Sequence, residues 1–175
     1  MNWFLQNIYF ILLCSAVLHV TEEFLYPGGF ADEFKSFVKK LGLEIKNYQI
    51  LIINILFLSL VLFVVFFGNK YPLIGLSAVF LVMLNGAAHI FQTINLKRYF
   101  PGVITGTLLY LPAGVLALVY YDVEVSRKII AMFIAVVFHL IPFLIIIFFR
   151  KNVKSWQPFF EECILFTGKY MGEKY

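Results

Sequence analysis

Apolar residues in this chain gather into five long runs separated by short polar breaks: roughly Trp3–Leu25, Tyr48–Phe67, Pro72–Ile94, Pro101–Tyr121 and Lys128–Phe149. Each run is close to the 20 or so residues that a helix needs to cross the hydrocarbon layer. The runs are continuous and do not alternate, so they predict helices and not the strands of a membrane barrel. Short connections leave no room for a separate soluble domain, and no internal repeat is evident. Residues 1–175 therefore read as one all-α membrane protein, a bundle of five transmembrane helices.

Composition agrees with the pattern. The chain is 62% hydrophobic and 14% charged, with a mean hydropathy of +0.89, whereas soluble domains sit nearer half apolar and a quarter charged. Met1 and Asn2 supply no basic leader and no small-residue cleavage site precedes the charges, so the first span is expected to be retained. Cys14 reads as small buried filler; its distance from Cys163 argues against a disulfide.

The breaks between runs carry the charge, and the charge orients the chain. Eleven of the 14 Lys and Arg residues fall after the first span, after the third, or in the C-terminal tail. Lys70, Arg127 and Lys128 are on the other side. The positive-inside rule then places the N-terminus outside and the C-terminus in the cytoplasm, as an integral, multi-pass protein of the cell (inner) membrane. Membrane lipids are the expected contact of the basic side; nothing suggests nucleic acid, and a homo-oligomer is left open. Two segments read as interfacial amphipathic helices, about 31–42 and 156–167. In the first, Phe30, Phe34, Phe37, Val38 and Leu41 recur at helical spacing, Asp32 and Glu33 open the helix, Lys39 and Lys40 close it, and Gly42 ends it.

Polar groups inside the spans are few. The informative ones are His19, Glu22 and Glu23 in the first, Asn85, His89 and Gln92 in the third, and His139 in the fifth, and they include all 3 histidines. Ionisable groups cost several kcal/mol at mid-bilayer and need a partner, a cavity or a metal. Residues at i, i+3 and i+4 share a helix face, so His19 can share a ligand with Glu22, Glu23 or both. Asn85 and His89 share a face in the same way. With the predicted orientation, all three histidines lie between the midplane and the cytoplasmic interface. In the fourth span Pro101 suits a first helical turn, Gly102 and Gly106 permit close helix approach, and Thr105, Thr107 and Tyr110 offer hydroxyls at the same depth. Asn54 and Ser59 read as helix–helix contacts.

"HVTEE" at His19–Glu23 and "NGAAH" at Asn85–His89 resemble the two motifs of the HXXEE family of small five-span membrane proteins, whose function is unknown. The second family motif is Asn-Ala-x-x-His, and Gly86 replaces its alanine. The resemblance implies a membrane-embedded, metal-dependent enzyme.

The residues themselves point to a site of His19, Glu22, Glu23, His89 and His139 around a divalent transition metal, zinc first and iron or manganese as alternatives. A glutamate left unligated, Glu22 or Glu23, would be the general base, and Asn85 would orient a ligand or stabilise an oxyanion. Gln92, Thr105 and Tyr110 are candidate substrate contacts. The expected activity is hydrolysis of a lipid-like or amphiphilic substrate at the cytoplasmic leaflet. The alternatives are a redox protein with His89 and His139 as haem ligands, and a His/Glu proton relay in a transporter.

Overall fold

The computed structural model describes residues 3–25, 29–40, 42–142 and 144. All regular structure among them is helical: α1 (Trp3–Leu25), α2 (Phe30–Lys40), α3 (Asn47–Phe67), α4 (Pro72–Leu96), α5 (Val103–Thr105), a π-helical turn (Gly106–Tyr110), α6 (Leu111–Tyr120) and α7 (Val125–Pro142). Four helices are long and apolar enough to cross a membrane: Asn7–Leu25, Asn47–Phe67, Pro72–Leu96 and Val125–Pro142. The helix built from α5, the π turn and α6 is shorter, because Pro101 and Gly102 form a turn ahead of it and do not start it. Gly102 has φ +95°, a conformation that only glycine adopts without strain. The expected tail helix at 156–167 and the end of the fifth predicted span lie outside the described residues.

The ends of the helices follow from local chemistry. Gln49 accepts the Lys46 amide at 2.8 Å and opens α3. Pro72 begins α4, where its missing N–H costs nothing. Asp32 and Glu33 in the first turn of α2 and Lys39 and Lys40 in its last complement the helix dipole. Past that end Gly42, at φ +71°, donates to Lys39 and Leu43 donates to Val38, which satisfies carbonyls the helix leaves free.

The core lies between α1, α3, α4 and α6. Ile8, Leu12 and Ala16 of α1 meet Val61 and Val64 of α3, Val79 and Val82 of α4, and Ala117 of α6. At one end Tyr9 donates to the Tyr121 hydroxyl at 2.6 Å, and Tyr121 donates to Asn69 at 3.1 Å, which ties α1 to two loops. Outward faces are mainly apolar, as at Phe66 and Val119; Ser59, read as a helix contact, is exposed among them. Cys14 is on that outward side, not buried as its small size suggested; it shares the stripe of Val17 and Leu18.

Two departures shape the site. The apolar face of α2, expected to rest on the membrane, turns into the protein: Val38 is fully buried and packs with Ile45 and Ile50. In addition, α4 and the π turn cross at backbone contact. A Cβ on Gly86 would lie 3.0 Å from the Gly106 carbonyl oxygen, and one on Gly106 would lie 3.0 Å from Gly86 Cα. Because the obstacle is main chain, a side-chain rotation cannot relieve it. Gly86→Val is therefore expected to destabilise the detergent-solubilised protein by about 2 kcal/mol, read as a lowered thermal midpoint. An unchanged midpoint would mean that the crossing is looser than described.

Candidate metal centre

The last turns of α1 carry three polar side chains that point in two directions. His19 and Glu23 are buried, at 0% and 3% exposure, and face α4. Glu22, about 100° round the helix from its neighbour, faces the segment that starts the fifth helix. There its Oε1 accepts from Tyr99 Oη at 2.6 Å, Gly102 N at 3.0 Å and Ile104 N at 3.1 Å. Its Oε2 accepts from Thr105 N at 2.8 Å and Thr105 Oγ1 at 2.5 Å. The first amides of a helix have no partner inside it, and a carboxylate on them is favoured by the dipole as well. Glu22 is thus the N-terminal cap of a helix some 80 residues away in sequence.

This corrects the expectation that Glu22 supplies a metal ligand or a base: five donors already fill its two oxygens. Thr105 is likewise committed to Glu22 and His19, and it does not line the cavity described below.

Beside that clamp, α1 and α4 bring two imidazoles onto one carboxylate. Glu23 Oε1 is 3.3 Å from His19 Nε2 and 3.1 Å from His89 Nε2. The hydrogen-bond partners of the other ring nitrogens place a hydrogen on each Nδ1. The Pro101 carbonyl can only accept, so His89 Nδ1, 2.6 Å away, carries a hydrogen. Thr105 Oγ1 gives its hydrogen to Glu22, so at 2.8 Å it accepts from His19 Nδ1. With Nδ1 so occupied, each ring turns its Nε2 to the same Glu23 oxygen, which can only accept. His19 Nε2 has no hydrogen-bond partner among the described residues. Three buried acceptors in contact repel one another unless a cation or protons lie among them.

The spacing suits a cation. Donor atoms about 2.0–2.1 Å from a tetrahedral zinc lie about 3.3 Å apart, close to the 3.1 and 3.3 Å seen here. Anchoring of the second ring nitrogen is also how metal-binding histidines are usually oriented. His19, Glu23 and His89 have donor atoms within 4.8 Å of one another, and this is the group of that kind among the described residues.

Aromatic rings pack the centre. Tyr110 stacks on His19 with centroids 4.4 Å apart, and His19 meets His89 edge-on at 4.8 Å. Phe30 and Phe100 lie against His89 at 5.5 and 5.4 Å. Gly102 sits beneath both histidines: a Cβ there would be 2.6 Å from His89 Nδ1 and 2.8 Å from His19 Cε1. Sequence reading assigned Gly102 to helix packing, and it missed Tyr99 and the Pro101 carbonyl altogether. The one cue available was the Pro-Gly pair, a turn signal.

Glu23 and His89 open onto a cavity of about 450 Å³. Its wall is mainly apolar, with Phe34 and Phe37 of α2, Phe57 of α3 and Phe138 of α7. Asn85, Gln92, His139 and Asn54 are its other polar groups. His139 and Asn85 thus stand on the cavity wall, outside the His19–Glu23–His89 group. Asn54, read as a helix contact, bonds the Ile50 carbonyl at 3.1 Å and also reaches the cavity. Tyr110 does not line it.

The two adjacent glutamates should respond oppositely to amidation. Glu22→Gln puts an NH₂ group among donors and is expected to cost about 2 kcal/mol. Glu23→Gln supplies donors to the facing Nε2 atoms and should leave the metal-free protein at least as stable as the wild type. Thermal unfolding in detergent with a chelator present checks both, and equal losses would contradict the assignment.

No curated protein and no solved structure matches the chain. The profile of a family described as "Protein of unknown function with HXXEE motif" matches residues 10–117, which take in α1, α4 and the π turn. Both halves of the histidine–carboxylate group lie in that match, with His19 and Glu23 in the motif itself; the chain belongs to the HXXEE family.

Proposed function

We propose that this protein is a membrane-embedded, metal-dependent enzyme that hydrolyses an amphiphilic substrate, with His19, Glu23 and His89 as the metal ligands. One observation carries the reading: two imidazoles, each tethered through Nδ1–H, direct their Nε2 atoms at one buried carboxylate beside an apolar cavity. Two histidines and a glutamate form a donor set of catalytic zinc, which leaves a position open for water or substrate. The same set suits non-haem iron, and manganese remains an alternative. A divalent ion bound there would act as a Lewis acid and lower the pKa of water.

The chain's own groups would do the rest. Pro101 and Thr105 hold the two ligand rings in one tautomer. The cavity's aromatic wall would take the apolar part of the substrate and shield the centre from bulk water. Asn85, Gln92 and His139 would hydrogen-bond its polar part, with His139 as the cavity's free imidazole for proton transfer. In this reading the chain crosses the membrane five times with its N-terminus outside, and the centre lies in the cytoplasmic half. The concentration of Lys and Arg near the ends of the helices that carry the centre supports that orientation.

Haem ligation by His89 and His139 fits less well, since His89 Nε2 is directed at Glu23. A proton relay would satisfy the same three acceptors with protons, and metal analysis separates the two. Protein purified without chelator is expected to hold close to one equivalent of a transition metal, lost in His19→Ala and His89→Ala variants that still fold. Loaded protein should cleave a medium-chain ester, with at least a hundredfold loss in either variant. Absence of metal from the wild type, before and after reconstitution, would sink the metalloenzyme reading and leave the relay.

A further inference from the structure

Two fully buried polar atoms have no hydrogen-bond partner among the described residues, and the rings that bear them are stacked: His19 Nε2 and Tyr110 Oη. The proposed ion accounts for the first. It does not account for the second, because a phenol hydroxyl is foremost a donor and needs an acceptor. Leaving it unmet costs about 1–3 kcal/mol, and phenylalanine would fill the same space without that cost.

The backbone singles out the same residue. Tyr110 closes the π turn Gly106–Tyr110, in which the Leu111 amide reaches back to Gly106. Pro112 follows and has no N–H to offer the Leu108 carbonyl, which breaks the α pattern. A π turn adds a residue to the helix and so swings the side chains after it by about 100° relative to an uninterrupted α-helix. Here the turn coincides with the placement of Tyr110 against His19. Its ring lies on that of His19, whose Nε2 is 3.3 Å from Glu23, so the buried hydroxyl belongs to the packing of the centre.

We propose that Tyr110 is the hydrogen-bond donor of the metal centre: its hydroxyl donates to the oxygen of a ligand, water or carboxylate, held by His19, Glu23 and His89. The inference rests on the metal reading and deepens it by naming the ligand chemistry. An oxygen bound to an ion keeps lone pairs that can accept from Tyr110. A nitrogen of imidazole does not, since its one lone pair is on the metal. Tyr110 would thus favour oxygen ligands, such as the carbonyl or carboxylate of an ester and its product, over nitrogen ones. The ring would also brace His19, and the hydroxyl alone would give the discrimination.

Cobalt(II)-loaded wild type and Tyr110→Phe, followed by visible absorption, separate these roles. Acetate and imidazole are the two probes. Tyr110→Phe is expected to keep the cobalt content and the imidazole affinity, to leave the metal-free protein at least as stable as the wild type, and to bind acetate about tenfold more weakly. Equal acetate affinity would overturn the proposal. So would parallel weakening of both probes, which would reduce Tyr110 to a packing partner of His19. Failure of cobalt to bind the wild type would bring down the metal reading and this inference together. Cobalt binding with acetate indifferent to Tyr110 would remove this inference alone.

Discussion

The carboxylate of Glu22 on the start of the fifth helix is the contact from which the rest of the site follows. It gathers three backbone amides and two hydroxyls between Tyr99 and Thr105. Each is a charge-assisted bond, roughly twice as strong as a neutral one. Two of the groups it positions are the ones that orient the imidazoles. Thr105 Oγ1 has its hydrogen taken by Glu22 and must therefore accept from His19. The turn at Gly102 that delivers an amide to Glu22 also aims the Pro101 carbonyl at His89. A single capping interaction thus positions the acceptors that hold the Nδ1–H of both histidines.

Adjacent glutamates on one helix turn then have a simple physical purpose. Consecutive side chains on a helix diverge by about 100°, so Glu22 and Glu23 can serve different partners although both are neighbours of His19. One reaches sideways to a neighbouring helix start, and the other stays in line with His19 at i+4. The clamp and the centre are in this way built from one turn of α1, and their relative placement is held by the helix itself. Gly102 is where the two meet, with its amide on Glu22 and no side chain to obstruct the rings above it.

The cavity joins this centre to the amphipathic helix α2. Its phenylalanines, which by pattern alone suit a membrane surface, serve as a wall: Phe30 reaches His89, and Phe34 and Phe37 line the space beyond. Arg98, just past the end of α4, holds the other side of α2 through Glu33 at 2.6 Å. A largely apolar chamber with four amide or imidazole groups and one ligand-bearing wall is the form expected of a site for a molecule with an apolar body and a small polar end.

Much of this was legible in the sequence, and the limit is a physical one. The apolar runs marked the helices because crossing or packing in an apolar medium demands about 20 residues without charge. The i, i+4 spacing marked His19 with Glu23 because helix geometry makes those residues neighbours in any fold. The same rule made Glu22 look equally suited to the site, since spacing says which residues can share a face and not which way that face turns. Rotation of α1 against the fifth helix decided that Glu22 is a cap and that Glu23 meets the two histidines. The partners of the cap are mostly main-chain amides, which every residue but proline carries and which therefore leave no mark in a sequence. Likewise only packing moved His139 to the cavity wall, turned the face of α2 inward, and left the hydroxyl of Tyr110 buried beside the ring of His19. The sequence determined which polar groups the protein carries and where along its helices they lie. The tertiary structure alone decided which groups meet, because contact depends on helix rotation and on backbone donors that composition does not encode.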